Sequence, residues 1–172
     1  MSAPKVLILM GSDSDWEVMS EAKKALDDMG VGCEVHVSSA HRTPERTGRL
    51  AREAAGRGIQ VIICGAGAAA ALAGVVAAET ELPVLGVPLA ATELRGLDAL
   101  LATLQMPAGV PVGTLAVGKA GARNAGLFAA RILGCSDPAL AAKVRDQRER
   151  MVRDVEAKDA ALQAKLGAEQ KK

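Results

Sequence analysis

Five short apolar runs, each followed by a stretch with helical periodicity, constrain the fold of this chain more than any other feature. Four runs are continuous, as in strands that are covered on both faces, and one alternates with polar residues. Strands that alternate with helices build a parallel sheet with helices on both faces. The sequence therefore predicts an α/β fold with strands at residues 6–10, 33–37, 61–64, 83–88 and 112–117.

Start and stop signals bound the helices between these strands. Ser14-x-x-Glu17 has the spacing of a capping box, and Gly30 suits a helix end. Thr43 and Pro44 suit an N-cap and the first helical position. The predicted helices cover residues 18–29, 44–57, 68–80, 94–104, 122–133 and 138–166.

The last helix lies outside this alternation. We predict a single domain over residues 1–172, with a core at about 5–135 and a C-terminal helix at about 138–166. One side of the helix carries an apolar stripe that needs a partner, either the body of the chain or a second subunit. We favour partial use in oligomerisation; the stripe comprises Leu140, Val144, Met151, Val155, Leu162 and Leu166.

The composition narrows the possible function classes. The chain has one Trp, one Phe and no Tyr, so it offers few rings on which bases or a flavin stack. A net charge of +1 gives no sign of a nucleic-acid or membrane partner. The cysteines at 33, 64 and 135 lack metal-ligand spacing and predict core residues in a reducing cytoplasm, and no run is a convincing transmembrane span.

Ligands of open α/β sheets bind beyond the carboxyl ends of the strands. That rule selects the loops at 11–15, 38–43, 64–68, 88–92 and 118–123. In the first loop, hydroxyls and backbone N–H groups at a helix N-terminus suit a phosphate or ribose, or Ser14 and Asp15 only cap the helix. The loop is neither a P-loop nor a G-x-G-x-x-G fingerprint.

The second loop places His41 beside Arg42. An imidazole gives and takes protons near neutral pH, and a guanidinium offers a planar fork for phosphate or carboxylate. The alternative is a histidine that is merely hydrogen-bonded in a loop. His36 lies in the middle of a strand, where we predict a structural or surface role.

The remaining loops carry weaker signals. Gly65-Ala66-Gly67 lets a backbone approach a ligand, but close packing of a helix on the sheet needs the same residues. Lys119 faces either a phosphate or solvent. Two separated histidines without matched carboxylates predict no metal site, and no nucleophile-elbow motif supports a Ser-His-Asp triad.

Several segments together resemble the PurE family of purine biosynthesis, over roughly residues 5–135. This family includes 5-(carboxyamino)imidazole ribonucleotide mutases and a sister class that carboxylates aminoimidazole ribonucleotide with CO2. The matching motifs are Met10-Gly11-Ser12-x-Ser14-Asp15-Trp16, Ser39-Ala40-His41-Arg42-Thr43-Pro44, Gly65-Ala66-Gly67, Pro83–Pro88, Gln105-Met106-Pro107 and Pro111–Gly118.

The resemblance implies a three-layer, flavodoxin-like (Rossmann-type) fold, a homo-octamer with active sites at subunit contacts, and no metal or organic cofactor. The implied reaction converts N5-carboxyaminoimidazole ribonucleotide to 4-carboxy-5-aminoimidazole ribonucleotide by decarboxylation and recarboxylation. His41 is the implied proton-transfer residue. The implied substrate-binding residues are Ser12, Ser14, Asp15, Ser39, Arg42, Gly65, Gly67, Ala68 and Leu72.

One segment departs from the mutase pattern. Ala71-Leu72-Ala73-Gly74 stands where mutases usually have His-Leu-Pro-Gly, and the CO2-using class also lacks that histidine. A direct carboxylase and a paralogue with another substrate therefore remain alternatives to the mutase. A receiver-like signalling domain is the non-enzyme alternative, but Gly65 stands where its phosphoacceptor Asp is needed.

Overall fold

The computed structural model describes residues 3–169 and contains one five-stranded, all-parallel sheet with strand order β2-β1-β3-β4-β5. The strands are β1 (Val6–Met10), β2 (Cys33–Val37), β3 (Val61–Gly67), β4 (Val84–Leu89) and β5 (Gly113–Thr114). The helices are α1 (Trp16–Met29), α2 (Pro44–Arg52), α3 (Leu72–Ala77), α4 (Leu97–Leu104), α5 (Lys119–Gly134) and α6 (Pro138–Glu169). The predicted flavodoxin-like α/β fold is confirmed.

Two apolar clusters cover the two faces of the sheet. Residues that alternate along β1 point to opposite faces, so Ile8 joins one cluster and Leu9 the other. The first cluster includes residues of α1, α5 and the start of α6, and the second includes residues of α2 and α3. The sheet is therefore the middle of three layers.

Small residues let α1 and α5 approach each other closely. A Cβ atom added at Gly126 would lie 2.5 Å from the carbonyl oxygen of Ala22 on α1. A Cβ added at Gly121 would collide with the carbonyl group of Ala116. The abundance of Gly and Ala is thus a packing requirement on this face of the sheet.

Several predicted boundaries were wrong, and local backbone geometry explains them. The helix predicted at 68–80 is only Leu72–Ala77, because β3 extends to Gly67 and Ala68 has φ +54. Successive tight turns follow, from the N–H of Ala70 to the carbonyl of Ala68 at 2.8 Å and from Ala71 to Ala69 at 2.7 Å. A left-handed residue cannot continue a right-handed helix.

The other differences lie at element ends. α2 stops at Arg52 and a short 3₁₀ turn, Ala55–Arg57, completes the predicted segment. α4 begins only at Leu97, because Arg95 and Gly96 both have positive φ. The last strand is reduced to Gly113–Thr114, whereas α5 begins three residues early, at Lys119.

The two halves of α6 have different surroundings. Leu140 is 7% exposed and Val144 packs against the first cluster, so the start of the helix is part of the body. The rest of the predicted stripe is exposed, with Val155 at 65%. No helix within residues 3–169 is both long enough and apolar enough to cross a membrane.

Candidate active site

Loops at the carboxyl ends of β1, β2 and β3 enclose a cleft of about 370 Å³. The first two loops supply polar side chains, and the segment after β3 supplies an apolar surface. Ala91, which follows β4, completes this apolar surface. The lining comprises Gly11, Ser12, Ser14, Asp15, Ser39, Ala40, His41, Arg42, Ala66, Gly67, Ala68, Ala69, Ala71, Leu72 and Ala91.

The loop after β1 is held by its own polar groups. The N–H of Ser12 donates to Oδ2 of Asp15 at 3.0 Å, and the hydroxyl of Ser14 donates to that of Ser12 at 2.9 Å. Reciprocal capping therefore joins Ser12 to Asp15, and the predicted box from Ser14 to Glu17 was wrong. Glu17 instead forms an exposed ion pair with Lys119 at 2.8 Å.

Asp15 carries the clearest electrostatic perturbation in the cleft. Its partial burial raises the pKa of the carboxyl group, because a charged carboxylate loses hydration there. Backbone N–H groups of Ser12 and Gly11, and then the charge of Arg42, oppose this increase. The desolvated carboxylate is thus a strong acceptor for hydroxyl groups of a ligand.

The loop after β2 is closed by hydrogen bonds between Ser39 and Thr43. The N–H of Ser39 donates to Oγ1 of Thr43, and that hydroxyl donates to the carbonyl of Ser39, both at 3.0 Å. Thr43 is the N-cap of α2 as predicted, but its hydroxyl binds backwards into the loop instead of capping the helix. Pro44 occupies the first helical position.

Arg42 connects the two polar loops. Its Nη2 donates to the carbonyl oxygen of Gly11 at 2.7 Å, and its Nε donates to the hydroxyl of Ser39 at 3.3 Å. The guanidinium borders both the cleft and an adjoining hollow of about 420 Å³. A cation in this position suits the phosphate end of an elongated ligand.

The side chain of His41 is exposed at the mouth of the cleft and forms no hydrogen bond or ion pair with any residue among 3–169. The imidazole is therefore available to a ligand. His36 is different, because it lies in β2 with its Nε2 3.7 Å from a carboxylate oxygen of Glu34. That position fits the structural or surface role predicted for it.

The apolar wall depends on close approach between backbones. A Cβ added at Gly67 would lie 2.5 Å from the Cβ of Ala91, so the end of β3 and the loop after β4 touch at this glycine. Ala68 follows in the left-handed region, which is unusual for a residue with a side chain. No side chain from residues 66–72 brings a polar group to this wall.

A larger cavity, of about 500 Å³, lies at the opposite end of the sheet beside Lys5 and the start of α6. Of its two lysines, Lys143 already donates to the carbonyl oxygen of Met29 at 3.1 Å. The polar residues that suit catalysis gather in the smaller cleft. Between residues 3 and 169, no three His, Cys, Asp or Glu side chains are placed to share a metal ion.

Residues 5–154 match the AIR carboxylase family, and this match covers most of the chain. The chain belongs to the AIR carboxylase family. It is 54% identical to the N5-carboxyaminoimidazole ribonucleotide mutase of Mycobacterium tuberculosis, over 95% of this chain and 93% of that enzyme. The mutase of Thermotoga maritima is 51% identical, over 88% of both chains.

Solved structures of the AIR carboxylase family agree in fold. The crystal structure of Treponema denticola PurE superposes with a TM-score of 0.84 at 28% identity, covering 92% of this chain and 98% of that one. A substituted form of the PurE2 protein from the same organism gives the same TM-score at 27% identity. The family predicted from the sequence is confirmed.

The structure brings most of the predicted site residues together. Of the predicted residues, only Gly65 does not line the cleft. It lies within β3, where an added Cβ would be 2.3 Å from the sulfur of Met19. The residues that line the cleft are His41, Ser12, Ser14, Asp15, Ser39, Arg42, Gly67, Ala68 and Leu72.

The site residues predicted from the sequence did not include five alanines that line the cleft. Ala91 borders the cleft from the loop at 88–92, and Ala40, Ala66, Ala69 and Ala71 complete the lining. A methyl group carries no chemical signal in a sequence. Apolar walls of Ala and Gly around residues 65–74 are therefore predicted only as a group, and proximity in the structure identifies which methyl groups border the cleft. Lys119, the cation of the fifth loop, is at the surface with Glu17 and outside the cleft.

Proposed function

We propose that this protein converts N5-carboxyaminoimidazole ribonucleotide to 4-carboxy-5-aminoimidazole ribonucleotide in purine biosynthesis, with the reaction occurring in the cleft beside His41. One observation carries the proposal: in a chain 54% identical to a mutase over 95% of its length, one cleft is lined both by an imidazole that has no side-chain partner among residues 3–169 and by an arginine. The protein is thus an isomerase that moves a carboxylate within one molecule.

The polar wall accounts for substrate binding. Arg42 reaches across to Gly11 and presents a charged fork between two connected hollows, which suits the 5′-phosphate. Asp15 and Ser12 lie in the loop after β1, the loop that contains Gly11, and are less exposed than Arg42. They suit the ribose hydroxyls, because a partly desolvated carboxylate is a strong acceptor. The imidazole ring of the substrate then lies toward His41 and the apolar wall.

His41 performs the proton transfers of this mechanism. As the bond between N5 and the carboxylate breaks, CO2 leaves and His41 donates a proton to the nitrogen. C4 then attacks the retained CO2, and the neutral imidazole of His41 removes the C4 proton to restore the aromatic ring. The histidine ends in its starting state, so one residue completes the isomerisation; a positioned acid–base group contributes about 10²–10⁴-fold.

The apolar wall suits the intermediate stage. CO2 is uncharged and must remain beside C4, so a wall of alanine methyl groups without polar side chains retains it without offering a competing nucleophile. Exclusion of water also prevents loss of CO2 as bicarbonate. The sequence of Ala66 to Leu72 is therefore consistent with the proposed chemistry.

Direct carboxylation of aminoimidazole ribonucleotide is the second candidate, because Ala71 leaves the apolar wall without an imidazole. Purified protein is to be assayed with N5-carboxyaminoimidazole ribonucleotide and, separately, with aminoimidazole ribonucleotide plus bicarbonate. The mutase proposal expects rapid turnover of the first substrate at low bicarbonate. Turnover only in the second assay would replace it with the carboxylase.

We also propose that the protein assembles as a homo-octamer in the cytoplasm. The leucines of α4 point outward at a helical spacing, with Leu97 and Leu104 both 55% exposed. On α6, the stripe repeats every eleven residues, which keeps it on one side of a straight helix. Three unpaired cysteines suit a reducing compartment. The prediction that all three are core residues was wrong for Cys135, which is exposed at the end of α5, whereas Cys64 is buried and Cys33 half-buried.

The assembly is testable by light scattering after gel filtration. Eight chains are expected in the native particle. Replacing Leu101 with Gln puts a polar group in the α4 stripe and is expected to lower the particle mass. A monomer for the unsubstituted protein would contradict the proposal, whatever its activity.

A further inference from the structure

Two buried hydroxyl groups lie directly behind the His41 loop. Ser38 is 2% exposed and Thr47 is fully buried, and among residues 3–169 only Thr103 is another buried polar side chain. Oγ of Ser38 and Oγ1 of Thr47 are 2.8 Å apart. Ser38 directly follows β2 and Thr47 is on α2, so this bond spans the loop.

The direction of that hydrogen bond follows from the proton count. A threonine hydroxyl has one hydrogen, and Thr47 donates it to the carbonyl of Thr43 at 3.1 Å. The hydrogen between Ser38 and Thr47 must therefore come from Ser38. The hydroxyls form a chain that runs from Ser38 through Thr47 to the backbone of Thr43.

The chain continues into the loop itself. The hydroxyl of Thr43 binds both the N–H and the carbonyl of Ser39, and the hydroxyl of Ser39 accepts the N–H of Arg42 at 3.2 Å. The two ends of the loop are thus hydrogen-bonded to each other. The buried hydrogen bond between Ser38 and Thr47 supports this network from behind the loop. The side chain of His41 has no partner among residues 3–169, so its position depends on this backbone framework.

We propose that Thr47 and Ser38 are positioning residues for catalysis: their buried hydrogen bond fixes the backbone that presents His41 to the substrate. The inference rests on the proposed function of His41. Neither residue lines the cleft. Ser38 borders the adjoining hollow, but it is 2% exposed and its hydroxyl is already bonded to Thr47, so neither hydroxyl is expected to bind the substrate.

The test replaces Thr47 with Val, which keeps the shape of the side chain and removes both hydrogen bonds. We expect kcat for N5-carboxyaminoimidazole ribonucleotide to fall about 10- to 100-fold, because small errors in the placement of a catalytic group have effects of this order. KM is expected to change little, since Arg42 keeps its hydrogen bond to Gly11 and Asp15 keeps the one from Ser12.

Thr103→Val is the matched control. Thr103 is also buried and also donates to the carbonyl four residues earlier, Ala99, at 2.7 Å, but it lies on α4 away from the His41 loop. Its substitution is expected to cost similar stability without the loss of kcat. An equal loss of kcat in both variants would overturn the inference in favour of general destabilisation.

The double variant Ser38→Ala, Thr47→Val separates positioning from an unpaired buried group. Removing both hydroxyls relieves the penalty that Thr47→Val leaves at Ser38, so the melting temperature is expected to recover. The kcat is expected to stay low, because the hydrogen bond between positions 38 and 47 is still absent. Recovery of kcat in the double variant, or normal kcat in Thr47→Val, would refute the positioning role.

The two levels of failure are distinguishable. If the unsubstituted enzyme does not turn over the ribonucleotide, the proposed function fails. If it does and Thr47→Val matches it, only the positioning inference fails.

Discussion

The cleft has a polar wall, whose loops are joined by side-chain hydrogen bonds, and an apolar wall made of alanine, glycine and leucine. On the polar wall, Arg42 joins the loops after β1 and β2 through Gly11 and Ser39. On the apolar wall, Gly67 meets Ala91 by direct contact and no polar side chain takes part. Under the proposed function, recognition of charge and transfer of protons come from the polar wall, while the apolar wall supplies shape and excludes water.

The largest effect is expected when the one imidazole that lines the polar wall is removed. His41→Asn keeps a polar side chain of similar reach but cannot exchange a proton near neutral pH. We expect kcat to fall by about 10²–10⁴-fold, the contribution of a positioned acid–base group. Calorimetry with the product ribonucleotide is expected to show that binding survives; near-normal turnover would contradict the assignment of His41.

Arg42→Lys breaks the connection between the two polar loops while keeping the positive charge. A lysine cannot donate to Gly11, to Ser39 and to a phosphate in one planar arrangement. We expect binding of the ribonucleotide to weaken about 10- to 100-fold, as for loss of a hydrogen bond to a charged group. Titration calorimetry measures this, and unchanged affinity would exclude Arg42 as the phosphate ligand.

Asp15→Asn tests a conflict between binding and stability on the polar wall. The pKa of Asp15 is raised chiefly by burial, so the folded chain holds this proton more tightly than the unfolded chain. Asp15 therefore lowers stability progressively as pH rises from about 4, the ordinary pKa of an aspartate, through the raised value.

The Asn variant is accordingly expected to melt at a higher temperature than the native chain at pH 7. This advantage is expected to disappear below about pH 4, where the unsubstituted carboxyl is protonated in both states. Ribonucleotide binding is expected to weaken about 10-fold. A lower melting temperature at pH 7 would show that the hydrogen bonds from Ser12 and Gly11 outweigh burial.

Ala71→His makes the apolar wall partly polar. A second imidazole introduces a group that titrates near pH 6.5 beside the reaction. We expect an additional ionisation in the pH dependence of kcat, with the maximal rate changed less than about 10-fold. An unaltered profile would show that position 71 is too far from the reacting atoms to take part.

The smallest effect is expected at the strained end of the apolar wall. Ala68 has φ +54, where a side chain costs about 1–2 kcal/mol and glycine pays little. After the greater backbone entropy of unfolded glycine is subtracted, Ala68→Gly is expected to stabilise the fold by about 0.5–1 kcal/mol. Thermal or urea unfolding measures the change, with Ala69→Gly as a neighbour whose backbone gains no relief.

Elements with strong local signals were predictable. β1 and β2 have the predicted boundaries, and Gly30 ends α1 with φ +72, because continuous or alternating apolar patterns and a left-handed stop act within a few residues. Where signals compete, the local pattern does not decide the structure. The alanines at 68–71 favour a helix intrinsically, yet pairing of Gly67 with Leu89 extends β3 and delays the helix to Leu72.

The candidate site was predictable to the extent that it uses chemically distinctive residues. His41, Arg42, Asp15 and Ser12 follow strand ends, and parallel strands carry their carboxyl ends to one edge. The capping partner of Asp15 was not predictable from spacing, because Ser12 and Ser14 both precede suitable acidic residues. Only the turn geometry selects Ser12.

By itself, the sequence determined the α/β alternation, the five loops at one edge of the sheet and the family of the protein. These follow from periodicity and from motifs whose residues act close to where they stand in the chain. The tertiary structure decided which small residues enclose the cleft. Gly65 and Gly67 belong to one motif, yet Met19 covers the first and Ala91 meets the second, because a glycine's role depends on what packs against it from distant segments.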